Sequence, residues 1–178
     1  MFNVAMDKYL KTRALIDWAF AVQVAGERTL AAAGRNYALI FPDIDEKDLE
    51  ELHRLTRELN TEIRFFIMAA HNYAKAFDRA RHHIKLVPPL PYDGQTIAHL
   101  RNIKEHWENF EGKIFEDGIA HPKAKSSLRH FLNLFPNSPI TPQTYSIGPG
   151  SECVIAQSLN VRSACEHAIR LMAELTTQ

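Results

Sequence analysis

Cysteine is nearly missing: Cys153 and Cys165 are the only two in 178 residues. Two thiols without framework spacing make no disulfide scaffold and point to a reducing compartment. Glycine (seven) and proline (nine) are also scarce, and most of the prolines fall between residues 88 and 149. That leaves room for long uninterrupted helices on either side of a loop-rich middle. Neither sign of charge is in excess, with 21 Lys plus Arg against 21 Asp plus Glu. A zero balance speaks against a protein that coats nucleic acid, though not against a small site with local positive charge. No run of about 20 apolar residues occurs, so no membrane span is expected. Asp7, Lys8, Lys11, Arg13 and Asp17 interrupt every apolar stretch near the start, so no signal peptide is expected either. A cytoplasmic location is the expectation. What the chain does have is 46% hydrophobic and 24% charged residues, a globular composition in the length of one ordinary domain.

Residues 3–33 read as a first helix, rich in Ala and Leu, with Gly34 as its stop. A second helix is expected over 45–85. Asp43 or Asp45 can cap it, and Asp45, Glu46, Asp48, Glu50 and Glu51 place negative charge at the positive end of its dipole. Its apolar residues fall in two rows spaced by seven. One is Leu52, Leu59, Phe66, Tyr73 and Ala80; the other is Leu49, Thr56, Ile63, Ala70, Phe77 and Ile84. Such a stripe suits a helix in an antiparallel bundle. The helix would be about 60 Å long, and Asn60–Thr61 is a candidate kink.

The stretch LVPPLPYDGQ ends that pattern. A third helix is expected over 95–116, with Leu100, Ile103, Trp107, Phe110 and Ile114 as its stripe. After a less regular segment, two strand-like runs at 143–147 and 152–159 flank GPGS, a tight-turn sequence. They predict a small β-hairpin. Asn160 then caps a final helix over 161–175. The expected architecture is mainly α: one domain spanning 1–178, an antiparallel four- to five-helix bundle with a small β-hairpin before the C-terminal helix. Trp18, Trp107 and the phenylalanines sit at helical spacing and read as core.

The third helix carries LRNIKEHWENF, in which Arg101 is followed by Asn102 and, five positions on, by His106. This resembles the Arg-x(4–6)-His signature of the HEPN superfamily, over about a dozen residues. The resemblance implies a helical bundle that dimerises and cleaves RNA without a metal, the 2′-OH being the nucleophile. Arg101 would hold the scissile phosphate, to which a guanidinium presents a planar fork. His106 would be the general acid or base, and Asn102 would orient the His or the phosphate. A defence or toxin setting, with a protein antitoxin as partner, follows from the same analogy. Many HEPN members are binding modules rather than nucleases. On a straight helix, at about 100° per residue, Arg101 lies about 160° from Ile103 and His106 about 60°. A long side chain, a local distortion or a second copy is therefore needed to bring the two together.

Two basic stretches could rim a phosphate site. KAFDRARHHIK offers Arg79 and Arg81, and HPKAKSSLRH offers Lys123, Lys125 and Arg129. The bland alternatives are cations complementing a helix C-terminus and a solvated loop. Nine histidines raise the question of a metal. Di-iron bundles repeat Glu-x-x-His on two helices, whereas here only Glu50–His53 matches. His71, His99 and His106 could converge from two helices, but no metal and no cofactor is expected. Cys165 and His167 are two apart on a helix and do not face each other. Three functions thus follow as expectations. The first is an HEPN-like endoribonuclease acting as a homodimer on RNA. The second is a non-catalytic protein-interaction module using the heptad face of the second helix or the hairpin edge. The third, a metal-dependent bundle enzyme, is the least favoured.

Overall fold

The computed structural model describes residues 2–40, 48–82, 84, 89–93, 96, 145–155 and 158–176. The first helix, α1, runs Phe2–Ile40. It passes straight through Gly34, which was expected to stop it. The glycine serves a close approach instead, because a Cβ built there would overlap the Ser151 hydroxyl. Leu15, Ala19, Val22, Gly26, Thr29, Ala33 and Asn36 form its buried stripe, alternating steps of four and three as a bundle helix requires. Most of these residues are small, so neighbouring helices come close.

The second helix, α2, runs Leu49–Ala80, shorter at both ends than the expected 45–85. Asp48 precedes it without a side-chain cap bond, while Glu50 and Glu51 occupy its first turn. Asp43 and Asp45 lie outside the described residues. Leu59, Ile63, Phe66, Ala70, Tyr73 and Ala80 of the two expected rows are buried, whereas Leu49 at the helix end is 45% exposed. The helix is continuous through Asn60 and Thr61, where the Thr61 hydroxyl donates to the Arg57 carbonyl at 2.9 Å. The two helices are antiparallel: going up α1, Arg28 pairs with Glu62, Arg35 with Glu58, and Asn36 with Thr56, going down α2.

A small antiparallel sheet follows in the order β1 (Tyr145–Gly148), β2 (Glu152–Ile155) and β3 (Leu159–Asn160). Ile147 faces Cys153 across the hairpin, and Ile155 faces Leu159. Gly150 at φ 68° and Ser151 at φ 62° make the turn, a conformation that suits Gly and strains Ser. The single second strand expected over 152–159 is two strands. The chain folds back between them, with the Ser158 N–H donating to the Ile155 carbonyl at 3.3 Å. The last described helix, α3, runs Val161–Thr176, and Asn160 Oδ1 accepts the Ser163 N–H at 3.0 Å, the bond of a helix cap.

Cys153, Ile155 and Leu159 of the sheet and Val161, Ala164, Ala168 and Leu171 of α3 join the α1–α2 core. Gly26 is where the three helices meet: a Cβ there would overlap Cys165 Sγ and lie 3.2 Å from the Phe66 ring. The described residues are thus mainly helical, with three helices and a three-stranded sheet. Of the helix expected over 95–116 only Thr96 is among them, and its whole stripe lies outside. Among the described residues no helix is long and apolar enough to cross a membrane.

Candidate functional site

The C-terminal turns of α2 and the returning chain enclose a cleft of about 960 Å³. Ala74, Lys75, Phe77, Asp78, Arg79 and Arg81 line it from α2, and Pro89, Leu90, Pro91, Tyr92 and Asp93 from the far side. The expected basic rim is therefore built in part. Arg81 is exposed and turned back on its own helix, its guanidinium 3.0 Å from Asp78. Arg79 and Lys75 have no ion-pair partner among the described residues. They leave positive charge at the cleft's edge, beside a wall of the apolar Pro89, Leu90, Pro91 and Tyr92 and the carboxylate of Asp93.

Buried hydrogen bonds hold this wall. Tyr92 is buried and its hydroxyl donates to the Ala70 carbonyl at 3.1 Å, fixing the returning chain against α2. Asp93 accepts the Thr96 N–H at 2.8 Å, and the Thr96 hydroxyl meets that of Ser158 at 2.8 Å. One layer deeper, Tyr73 Oη lies 2.9 Å from His167 Nδ1, with Phe77 packed against both rings. His167 is 1% exposed, so its hydrogen bond to Tyr73 orients it and it does not face the cleft. Burial weakens Tyr73 and Tyr92 as acids, raising the pKa of each above the usual phenol range. They are hydrogen-bonding groups here, not proton-transfer groups at neutral pH.

Arg101, Asn102 and His106, the residues of the HEPN-type signature, lie outside the described residues, as do Lys123, Lys125 and Arg129. His99 does too, so the expected convergence of His71 with His99 and His106 falls outside them as well. Among the described residues no three His, Cys, Asp or Glu side chains are grouped to hold a metal ion. Cys153 and Cys165 are both buried free thiols. Burial pushes Cys153 up to about 12 and Cys165 up to about 11, so neither is a nucleophile at neutral pH.

Sequence reasoning missed a second feature. On the α1–α2 face turned away from α3 and the sheet lies a groove of about 410 Å³. Phe20 and Phe65, expected in the core, line it at 59% and 49% exposure. Arg28 pairs with Glu62 at 2.6 Å along its wall. Glu62 Oε2 is buried with no hydrogen-bond partner among the described residues. The available signal was a second, weaker stripe on α1, through Ala14, Trp18, Ala21, Ala25 and Arg28, beside the buried one.

Against protein-family models, curated proteins and solved structures alike, the chain finds no match.

Proposed function

We propose that the chain is an HEPN-like helical domain that cleaves RNA without a metal, in a defence or toxin setting in the cytoplasm. Counted with the helix expected over 95–116, it is a bundle of four helices, and it works as a homodimer. The observation that supports this reading is the cleft at the end of α2. Its mouth carries Lys75 and Arg79, and its far wall, pinned by Tyr92, runs to Asp93, which accepts the N–H of Thr96. Arg101 follows five residues later, within about 18 Å of Thr96 at full chain extension. The cleft thus lies within reach of the signature residues and offers its cations to the flanking phosphates.

In the reaction His106 takes the proton of a ribose 2′-OH, or donates one to the departing 5′-oxygen. Arg101 stabilises the charge on the phosphate between them. Attack of the 2′-oxygen leaves a 2′,3′-cyclic phosphate and a free 5′-hydroxyl, with no water or metal consumed. The test is cleavage of a labelled RNA by the full chain in chelator. His106→Ala should lower the rate by about 10²–10⁴-fold with helix content unchanged. Cleavage that survives in His106→Ala, or that stops with chelator in the unaltered chain, would overturn the assignment.

A second reading is a non-catalytic module that binds another protein, such as an antitoxin. The outward-facing Phe20 and Phe65 favour it, because paired helices seldom leave aromatic residues in water without a partner.

A further inference from the structure

We propose that the hydroxyl pair Thr96–Ser158 is a positioning contact: it sets the rotation of the helix that carries the signature, and so decides which way Arg101 and His106 face. Of the helix expected over 95–116, Thr96 is the described residue, and it is helical. Asp93 Oδ1 accepts the Thr96 N–H at 2.8 Å, three residues on, the bond of a helix cap. The Tyr92 hydroxyl holds the residue before the cap against the Ala70 carbonyl of α2 at 3.1 Å. These two bonds fix where the helix starts. Its rotation is set by a different element. Thr96 is 2% exposed, and its hydroxyl lies 2.8 Å from that of Ser158 in the β2–β3 turn. That turn is a firm support, because the Ser158 N–H donates to the Ile155 carbonyl, and Ile155 and Leu159 on either side belong to the core.

The apolar pattern of the sequence agrees with this contact independently. At about 100° per residue, Leu100, Ile103, Trp107, Phe110 and Ile114 all fall within about 40° of Thr96. The residue that meets Ser158 is thus the centre of the stripe. A stripe about 80° wide chooses a face of the helix but not an angle, since apolar contact has no direction. A hydrogen bond is directional and narrows the choice. With Thr96 turned to Ser158, the expected straight helix carries Arg101 about 140° from the stripe's centre, facing out, and His106 about 80° from it, at the stripe's flank. A turn of about 100° in either sense would aim one of the two into the core. The consequence for catalysis rests on the ribonuclease reading; the rotation itself does not.

The experiment uses the full chain with four changes. Thr96→Val keeps the shape but not the hydroxyl, Thr96→Ser keeps the hydroxyl, Ser158→Ala removes its partner, and the fourth combines Thr96→Val with Ser158→Ala. Rotation is read from acrylamide quenching of Trp107 in a Trp18→Phe background, where it is the one indole left. Should Trp18→Phe not fold, fluorotryptophan gives each indole its own fluorine NMR line. Cleavage is read as kcat and KM on a labelled RNA. Thr96→Val and Ser158→Ala should each raise the Trp107 quenching constant about twofold or more, and lower kcat about tenfold to a hundredfold with KM nearly unchanged. The double variant should match the worse single one, because both remove the same bond, and Thr96→Ser should behave as the unaltered chain. Unchanged quenching in both single variants would overturn the inference whatever the RNA result. So would a double variant that shows the sum of the single effects, or a changed quenching with an unchanged kcat. A chain whose Trp107 responds as expected but which cleaves no RNA would uphold the positioning contact and overturn the ribonuclease reading alone.

Discussion

Replacing Gly26 with Ala sets two effects of opposite sign against each other. In an exposed helix interior, Gly→Ala stabilises by about 1 kcal/mol. At Gly26 the new methyl would enter the volume of Cys165 Sγ and press on Phe66, which is fully buried. The sulfur cannot simply swing away, since it is directed at the Val22 carbonyl at 3.7 Å. Overpacking a tight core costs about 1–3 kcal/mol, and an overlap of this depth lies toward the top of that range. The net expectation is a loss of about 2 kcal/mol, or a fall in Tm of about 4–8 °C for a chain of this length. Urea and thermal unfolding followed by far-UV circular dichroism measure both. A cycle with Cys165→Ala isolates the cause. Removing the sulfur alone should cost about 1 kcal/mol. The double variant should then be more stable than the two single losses predict, by about 2 kcal/mol of coupling. If Gly26→Ala is neutral or stabilising, the helices are not in contact there, and the three-helix junction as described is wrong.

Two further predictions concern the buried polar groups. The folded protein holds Cys153 up to about 12 and Cys165 up to about 11, against about 9 for a free thiol. Their contribution to stability is complete below pH 9, where the folded and unfolded states both keep the protons. It is lost as pH rises through 11 and 12, because the unfolded chain ionises first. The urea midpoint should therefore fall steadily above pH 9, and neither thiol should react with an alkylating reagent at pH 8 until the protein is denatured. Rapid stoichiometric alkylation of the folded chain would contradict their burial. Tyr73→Phe leaves His167 Nδ1 without its 2.9 Å partner in the core, which should cost about 1–3 kcal/mol in the same unfolding assay. A variant as stable as the parent would show that the bond is not made.

The rows on α2 were legible in the sequence because their residues are large and apolar: Leu59, Ile63, Phe66 and Tyr73 declare a core face by themselves. The stripe on α1 is just as regular, but Ala19, Gly26, Thr29, Ala33 and Asn36 carry little hydrophobic signal. Their burial follows from how closely the neighbours approach, which only the tertiary structure states. The same holds for Gly34. A lone glycine after an Ala-rich helix reads as a stop until Ser151 is known to lie against it. GPGS announced its turn through local backbone chemistry, whereas β3 is two residues long and exists through its pairing with β2. Of the described basic rim, sequence gave Arg79 and Arg81 as equals. The structure separates them, because Asp78 lies one turn from Arg81 and engages it. Phe20 and Phe65 were assigned to the core on hydrophobicity alone, a rule that fails where a helix pair has two faces and only one is filled.

The cleft and the groove lie on consecutive parts of α2: Glu62, Phe65, Met68 and Ala69 line the groove, and Ala74 to Arg81 line the cleft. From Phe66 to Arg79 is about 20 Å along the helix axis, so a change at Phe65 does not touch the cleft. How the clefts of a homodimer combine depends on the direction of its two-fold axis. An axis along the helices sets both clefts at one end of the dimer, where residues of two copies can meet over one phosphate. An axis across the helices at the level of the groove sends the clefts to opposite ends, roughly 40 Å apart by the same rise, and each would then have to act alone. The resemblance to HEPN nucleases implies the first arrangement, because on the straight helix expected from the sequence Arg101 and His106 would face different sides. A dimer of the second kind would therefore count against shared-cleft catalysis.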